Sequence, residues 1–104
     1  MLNEFSRTEL LLGQDGMKKL KSSSVAIFGV GGVGSYIAEA LARSGVGKLI
    51  LIDNDEVTIT NLNRQLIALH STIGRKKVDV AKDRLLDINP QATVSYTHLT
   101  LPTT

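Results

Sequence analysis

A short apolar run followed by a glycine-rich loop constrains this chain more than any other stretch of its sequence. Residues 25–28, Val-Ala-Ile-Phe, have the length and the β-branched and aromatic character of a buried strand. The loop after them has the spacing Gly-x-Gly-x-x-Gly at Gly29, Gly31 and Gly34, and a helical pattern begins at Ser35. This arrangement predicts an anion cradle, because the first N–H groups of a helix are unpaired and carry partial positive charge.

Each glycine of the loop has a separate task in this interpretation. Gly29 allows the tight turn out of the strand, Gly31 lets the backbone approach a phosphate, and Gly34 lets the helix pack closely on the sheet. The spacing alone leaves the nucleotide open, because nicotinamide-dependent dehydrogenases carry the same motif. The residues that narrow the choice lie further along the chain.

The remaining hydrophobic pattern predicts a single α/β domain. An apolar run at 48–52 predicts a second strand, covered on both faces, and with a helix at 35–43 it completes a Rossmann-like βαβ nucleotide-binding unit with a mostly parallel sheet. A further helix is predicted at 75–89, ending before Pro90, and a third strand is expected near Thr93. A length of 104 residues allows one domain at most.

Shorter helices are predicted in two other places. The N-terminal segment predicts one helix at 6–12 and a second at 15–21, separated by Gly13. The apolar residues expected to face the body of the domain are Leu10, Leu11, Leu12, Met17 and Leu20. A third short helix, capped by Thr60 or Asn61, is predicted to carry Leu62, Arg64, Gln65 and Ile67.

Composition excludes several kinds of site. The chain has no cysteine, which rules out a disulfide, a thiolate nucleophile and a cysteine metal site within these residues. Its net charge of +2 is too small to indicate nucleic-acid binding by itself. No apolar run approaches the ~20 residues of a membrane span, and the start of the chain does not resemble a signal peptide. We therefore expect a cytoplasmic protein without a membrane span.

An acidic residue ends the second strand, where a ribose-binding carboxylate is expected. Asp53 lies about 20 residues beyond the glycine loop, the separation at which such a side chain reaches a ribose hydroxyl. A longer string follows that dehydrogenases do not share. It reads Asp53-x-Asp55-x-Val57-x-x-Thr60-Asn61-Leu62-x-Arg64-Gln65, with Gly74 and Lys77 after it.

With the glycine loop, this string closely resembles the ThiF/MoeB/ubiquitin-activating superfamily of adenylating enzymes, over residues 5 to about 92. Members of that superfamily use ATP to attach AMP to a carboxylate and release pyrophosphate. The resemblance implies that Gly32 meets the phosphates, that Asp53 holds the ribose and that Arg7 reaches the ATP of the partner subunit in a homodimer. It implies three further contacts to the polyphosphate, from Asn61, Arg64 and Lys77.

Catalysis in such a site would rest on fixed positive charge. Attack on the α-phosphate builds negative charge on the leaving pyrophosphate, and preorganised cations stabilise that charge without rearrangement. The candidate catalytic residues are Arg64, Lys77 and Arg7, and arginine binds phosphate oxygens in a bidentate way. Simpler alternatives exist for each: an ion pair of Arg64 with Asp55 or Glu56, a solvated helix face for Lys77, an ordinary helical position for Arg7 and a turn role for Asp53.

Two stretches, residues 5–13 and 38–47, are most similar to the tRNA threonylcarbamoyladenosine dehydratases within the superfamily. The similarity implies ATP and Mg²⁺ as cofactors, tRNA as partner, and adenylation of a threonylcarbamoyl group beside the anticodon, followed by dehydration and cyclisation. Residues 71–78 fit sulfur-carrier adenylyltransferases equally well, so that class stays open. An NAD-binding oxidoreductase domain and a non-catalytic nucleotide-fold module are further alternatives.

The end of the chain departs from the family pattern. Residues 94–104 are rich in threonine and uncharged, and they resemble the translation of a sequencing adapter. We expect 1–93 to be the N-terminal part of a ThiF-like ATP-binding adenylation domain and 94–104 to be a non-native tail, with a divergent third strand as the alternative. The later aspartate that the family uses for metal and nucleotide has no counterpart here, so we expect the truncated chain to be inactive.

Overall fold

The computed structural model describes residues 3–97, which form a three-stranded parallel sheet with helices on one face. The elements are α1 (Ser6–Lys21), β1 (Ser24–Phe28), α2 (Gly32–Ser44), β2 (Lys48–Ile52), α3 (Lys77–Ile88) and β3 (Thr93–Thr97). Two 3-10 turns, Ile59–Asn61 and His70–Thr72, lie in the long connection between β2 and α3. The strands are ordered β1-β2-β3 and all run parallel, so the α/β class and the parallel sheet are confirmed.

The core lies between the sheet and the helices α2 and α3. Leu49 and Leu51 of β2 are fully buried, and Ile27 of β1 and Val94 of β3 point to the same face because side chains alternate along a strand. The helices complete this layer with the buried residues Ala38, Ala42, Val78, Ala81 and Leu85. Parallel pairing brings the carboxyl ends of the strands to one edge, where the glycine loop begins.

The opposite face of the sheet is open within residues 3–97. Phe28 is 73% exposed there, and Ile50 and Ile52 are only half-buried. The expectation that β2 is covered on both faces is therefore not met in this part of the chain, because α2 and α3 pack on the same side.

The two predicted N-terminal helices join into one kinked element. Gly13 interrupts α1 with φ 74° and ψ 174°, outside the helical region. The segment after the kink contacts the domain, and Met17 packs over Gly45 at the end of α2. Neither α1 nor any other helix in residues 3–97 is both long enough and apolar enough to cross a membrane.

The predicted orientation of the leucine run in α1 is wrong. Leu10 and Leu11 are 86% and 87% exposed, and Leu12 is 50% exposed. Consecutive residues of a helix point in directions about 100° apart, so three of them cannot share one face. The change of direction at Gly13 then leaves the first half of α1 outside the core.

Other boundaries differ by a few residues, and one predicted helix is absent. The strand β1 begins at Ser24 rather than at residue 25, and α2 begins at Gly32, inside the glycine loop. Only a 3-10 turn, Ile59–Asn61, forms where a helix over 60–67 was predicted. The third strand is present, and residues 94–97 of the predicted tail belong to it, whereas 98–104 lie outside the described residues.

An ion-pair cluster ties α2 to α3. The Glu39 carboxylate accepts a hydrogen bond from Arg84 Nε of α3 at 2.7 Å and one from Arg43 Nη2 of its own helix at 2.9 Å. The bond from Arg84 is the main cause that lowers the pKa of the Glu39 carboxyl from its ordinary 4.5, against the opposing effect of burial. The charged form of Glu39 is therefore favoured by the fold.

Glu39→Gln is expected to lower the free energy of unfolding by about 1 kcal/mol at pH 7, because two charge-assisted hydrogen bonds are weakened. The folded-state pKa lies below the unfolded one, so this contribution is present above the unfolded value and lost as the pH falls through the folded value. Urea denaturation at pH 7 and at about pH 3 measures the difference between variant and wild type. An equal difference at both pH values would contradict the proposed role of the carboxylate.

Candidate functional site

The glycine loop leaves β1 and enters α2 at the carboxyl edge of the sheet. Gly29 has φ 86°, a conformation that favours glycine, and its N–H donates to the Ile52 carbonyl at 2.8 Å. A Cβ atom at Gly34 would overlap the Gly29 carbonyl oxygen and lie 2.8 Å from the carbonyl carbon. The loop is thus folded so closely on itself that only glycine fits at position 34.

The first N–H groups of α2 are unpaired. In the part of the chain that the structure describes, no hydrogen bond is donated by the N–H of Gly31, Gly32, Val33 or Gly34, and pairing begins with Ser35, which donates to the Gly31 carbonyl. A Cβ atom at Gly32 would meet no heavy atom within 4 Å, so the space on that side of the residue is open. Four free donors at the positive end of a helix form a site for an anion.

The Asp53 carboxylate ties the glycine loop to the loop that follows β2. Its Oδ2 accepts a hydrogen bond from the Val30 N–H at 2.9 Å, and its Oδ1 accepts one from the Asp55 N–H at 2.8 Å. A simple turn residue would bond only to its sequence neighbours, whereas Asp53 also reaches the loop 23 positions before it. The structure places this carboxylate beside the glycine loop, and its role as a ribose ligand stays a prediction.

Most of the Lys77 side chain is covered by the fold. Lys77 is the first residue of α3 and is 7% exposed, and its N–H donates to the Asp55 carbonyl at 2.9 Å. Within residues 3–97, no hydrogen bond or ion pair engages its ammonium group. This burial contradicts the solvated-face alternative. Lys77 Nζ is not one of the fully buried polar atoms that lack a partner in residues 3–97, so the ammonium reaches solvent at the start of α3, where an anion can approach it.

Asn61 and Arg64 lie in and just after the 3-10 turn. Asn61 is 7% exposed, and its Oδ1 accepts the Thr58 N–H at 2.9 Å, while its Nδ2 has no partner among the described residues. Arg64 is exposed, and its Nη1 donates to the Thr60 carbonyl at 3.0 Å and to Asn63 Oδ1 at 2.8 Å. The alternative ion pair of Arg64 with a neighbouring acidic residue is absent from the described part of the chain.

Gln65 packs this turn against the glycine loop. A Cβ atom at Gly31 would lie 3.0 Å from Gln65 Nε2 and 3.3 Å from its Oε1, so the carboxamide occupies the space beside this glycine. We did not predict a site role for Gln65 from the sequence. Its place next to Arg64 in the motif could have indicated a role in the site. Its contact with Gly31, 34 positions earlier in the chain, has no local sequence pattern that would predict it.

Arg7 lies apart from the other candidate site residues. It is exposed on α1, whose start lies at the opposite, amino edge of the sheet, where Phe5 packs on Gly45. No hydrogen bond or ion pair engages Arg7 in residues 3–97. The same described residues contain no group of three or more His, Asp or Glu side chains that could hold a metal ion.

Comparison with known proteins gives close relatives. The model of the ThiF family matches residues 5–104. A tRNA threonylcarbamoyladenosine dehydratase of Bacillus subtilis is 61% identical over 94 residues, which make up 90% of this chain and 37% of that protein. The adenylyltransferase and sulfurtransferase MOCS3 of Culex quinquefasciatus is 44% identical over 99 residues, or 93% of this chain and 23% of that protein.

A solved structure agrees with these matches. The crystal structure of the Escherichia coli tRNA N6-threonylcarbamoyladenosine dehydratase TcdA in complex with ATP has a TM-score of 0.88 and 40% sequence identity, covering 90% of this chain and 39% of that one. The chain therefore spans well under half the length of each of these relatives. Both the Rossmann-like fold and the superfamily resemblance are confirmed, and this chain belongs to the ThiF family.

Proposed function

We propose that this chain is the nucleotide-binding part of an enzyme that uses ATP to adenylate a carboxylate. The observation that carries the proposal is a set of anion-binding groups gathered at the carboxyl edge of the sheet. Within residues 3–97, four N–H groups at the start of α2 donate no hydrogen bond, and no hydrogen bond or ion pair engages the ammonium of Lys77, whose residue is 7% exposed. Asp53 and Asp55 connect the two through hydrogen bonds to Val30 and Lys77.

Each group has a role in the proposed reaction. The phosphates would lie before Gly32, with the ribose hydroxyls on Asp53 and the polyphosphate near Asn61 and Lys77. A substrate carboxylate oxygen attacks the α-phosphorus, the bond to the β-phosphate bridge breaks, and pyrophosphate leaves with the developing negative charge. Lys77 stabilises that charge. Arg64 can do the same once its guanidinium leaves the Thr60 carbonyl and Asn63 Oδ1 and binds phosphate oxygens instead.

The proposed cofactor Mg²⁺ would neutralise part of the phosphate charge. Mg²⁺ usually keeps several waters and takes one or two carboxylates plus substrate phosphates, so a site with few acidic ligands suits it. We propose no geometry for it, and the later aspartate of the family has no counterpart in these residues.

For the complete protein we propose the threonylcarbamoyl group of a tRNA adenosine as the carboxylate that is adenylated, followed by cyclisation with loss of water, in the cytoplasm. The name of the Bacillus subtilis relative supports this substrate. The C-terminus of a sulfur-carrier protein is the second candidate, which the likeness to MOCS3 supports. A Cys-x-x-Cys pair and a nucleophilic cysteine in the rest of the complete protein would favour the second.

We also propose that the complete protein is a homodimer. Arg7, Leu10 and Leu11 lie on one exposed face of α1, at positions i, i+3 and i+4. Exposed apolar residues in such a group are typical of protein interfaces, and a second copy would bring Arg7 towards the nucleotide of its partner. Sedimentation velocity measures the association directly.

Stabilisation of the fold by MgATP tests the proposed nucleotide-binding function. MgATP is expected to raise the thermal midpoint of the 104-residue chain by a few degrees at millimolar concentration, because it binds the folded state only. NAD is expected to leave the midpoint unchanged, and a shift with NAD as large as that with MgATP would favour an oxidoreductase domain instead. We expect no pyrophosphate release by this chain alone, and measurable release would contradict that.

A further inference from the structure

The side chain of Gln65 connects two parts of the candidate site. A Cβ atom at Gly31 would lie 3.0, 3.2 and 3.3 Å from its Nε2, Cδ and Oε1, which means that the flat face of the carboxamide covers this glycine. The main chain of Gln65 is held in place, since its N–H donates to the Asn61 carbonyl at 3.0 Å and its carbonyl accepts the Ala68 N–H at 3.0 Å. The carboxamide therefore sets the spacing between the glycine loop and the turn that carries Asn61.

One atom of this side chain is unsatisfied. Gln65 Oε1 is buried and has no hydrogen-bond partner among the described residues. A buried acceptor without a donor is unfavourable compared with an apolar group of the same shape. Methionine has nearly the same length as glutamine and would fill the same space, so packing of the free chain gives no reason for an amide here.

The unpaired donors beside this contact belong to the glycine loop, and the Gly31 N–H is one of them. A phosphate at the start of α2 would engage the N–H groups of Gly32, Val33 and Gly34, and the Gly31 N–H beside the carboxamide would then pair within the protein. Gln65 Oε1, 3.3 Å from the position of a Cβ at Gly31, is the acceptor beside this glycine. The contact thus offers Oε1 a donor in the nucleotide-bound state.

We propose that Gln65 is a positioning residue of the nucleotide site, whose amide oxygen is paired when the glycine loop closes on phosphate and is unpaired otherwise. The proposal rests on the nucleotide-binding function proposed above. It assigns Gln65 no contact with the substrate, because its Oε1 is buried. It predicts that stability and nucleotide affinity respond in opposite directions to loss of the amide.

Gln65→Met tests this by separating the two quantities. The free energy of unfolding without nucleotide is expected to stay the same or rise, while the Kd for MgATP, measured by NMR titration, is expected to rise roughly five- to tenfold because one hydrogen bond of the bound state is lost. In the wild type, the Gly31 N–H resonance should shift on addition of MgATP, and in the variant this shift should be smaller. Leu66→Met, a change of similar size in the same turn, is the control and should alter neither quantity.

The outcomes are distinguishable. Gln65→Met with unchanged MgATP affinity, or with stability and affinity reduced together, would overturn the positioning role while leaving ATP binding by the wild type intact. A wild-type chain that does not bind MgATP would overturn the proposed function and this inference with it. If Gln65→Met does not fold, Gln65→Leu supplies the test, because it also removes the amide oxygen and keeps an apolar side chain of similar bulk. Its MgATP affinity should fall as well, and an unchanged affinity would contradict the proposal.

Discussion

Gly34→Ala is expected to lower the free energy of unfolding by about 3 kcal/mol or more. The added methyl would overlap the Gly29 carbonyl oxygen and lie 2.8 Å from its carbon, so either α2 or the glycine loop must move. Both atoms belong to the backbone, and no flexible side chain can give way. Urea denaturation followed by circular dichroism measures the loss.

Gly32→Ala is the matched control in the same helix. Its Cβ would meet nothing within 4 Å, and its φ is not positive, so stability should hold or rise by up to about 1 kcal/mol. MgATP binding is expected to weaken, because the methyl would stand in the open space before the free N–H groups. A Gly34→Ala chain as stable as the wild type would contradict the loop geometry. Normal MgATP binding by Gly32→Ala would contradict the proposed position of the phosphates.

Lys77→Met is expected to raise the Kd for MgATP by roughly ten- to a hundredfold, since a charged hydrogen bond contributes about 1.5–3 kcal/mol. The free energy of unfolding without nucleotide should stay nearly the same, because methionine keeps the packing of the covered side-chain stem and the ammonium makes no hydrogen bond or ion pair in residues 3–97. NMR titration and urea denaturation measure the two effects on the same samples.

Lys76→Met is the control for this change. It removes one positive charge at the neighbouring position, where the side chain is exposed. Its effect on MgATP affinity should be small and should fade with added salt, because exposed charges are screened. An equal loss in both variants would mean that net charge, and not a specific contact of Lys77, controls binding.

The local sequence pattern was sufficient to predict those elements whose boundaries depend only on nearby residues. The bounds of β2 are those predicted, and the left-handed glycine that ends α2 is Gly45, as expected. An unbroken apolar run and a glycine after a helix each act within a few residues, so their meaning does not depend on distant contacts. The same holds for the glycine spacing, which identified the loop between β1 and α2.

Predictions from local sequence patterns failed where the burial of a residue depends on contacts with distant parts of the chain. The leucine run of α1 was predicted to face the core, but helical spacing spreads its three residues around the helix, and the kink at Gly13 leaves them outside the core. The segment after Ile59–Asn61 carries helix-forming residues yet stays irregular, and within it the Gln65 side chain packs against Gly31 of the glycine loop. In both places tertiary contacts outweigh intrinsic preference.

The sequence by itself determined the βαβ unit, the glycine loop and the family, because each can be recognised from residue types at closely spaced positions. Only the tertiary structure decided that most of the Lys77 side chain is covered, that Asp53 bonds to the glycine loop and that Gln65 covers Gly31. These facts join residues more than 20 positions apart, or depend on which face of a helix is covered. Such distances are set by how the helices and loops pack on the sheet, and no spacing along the chain encodes them.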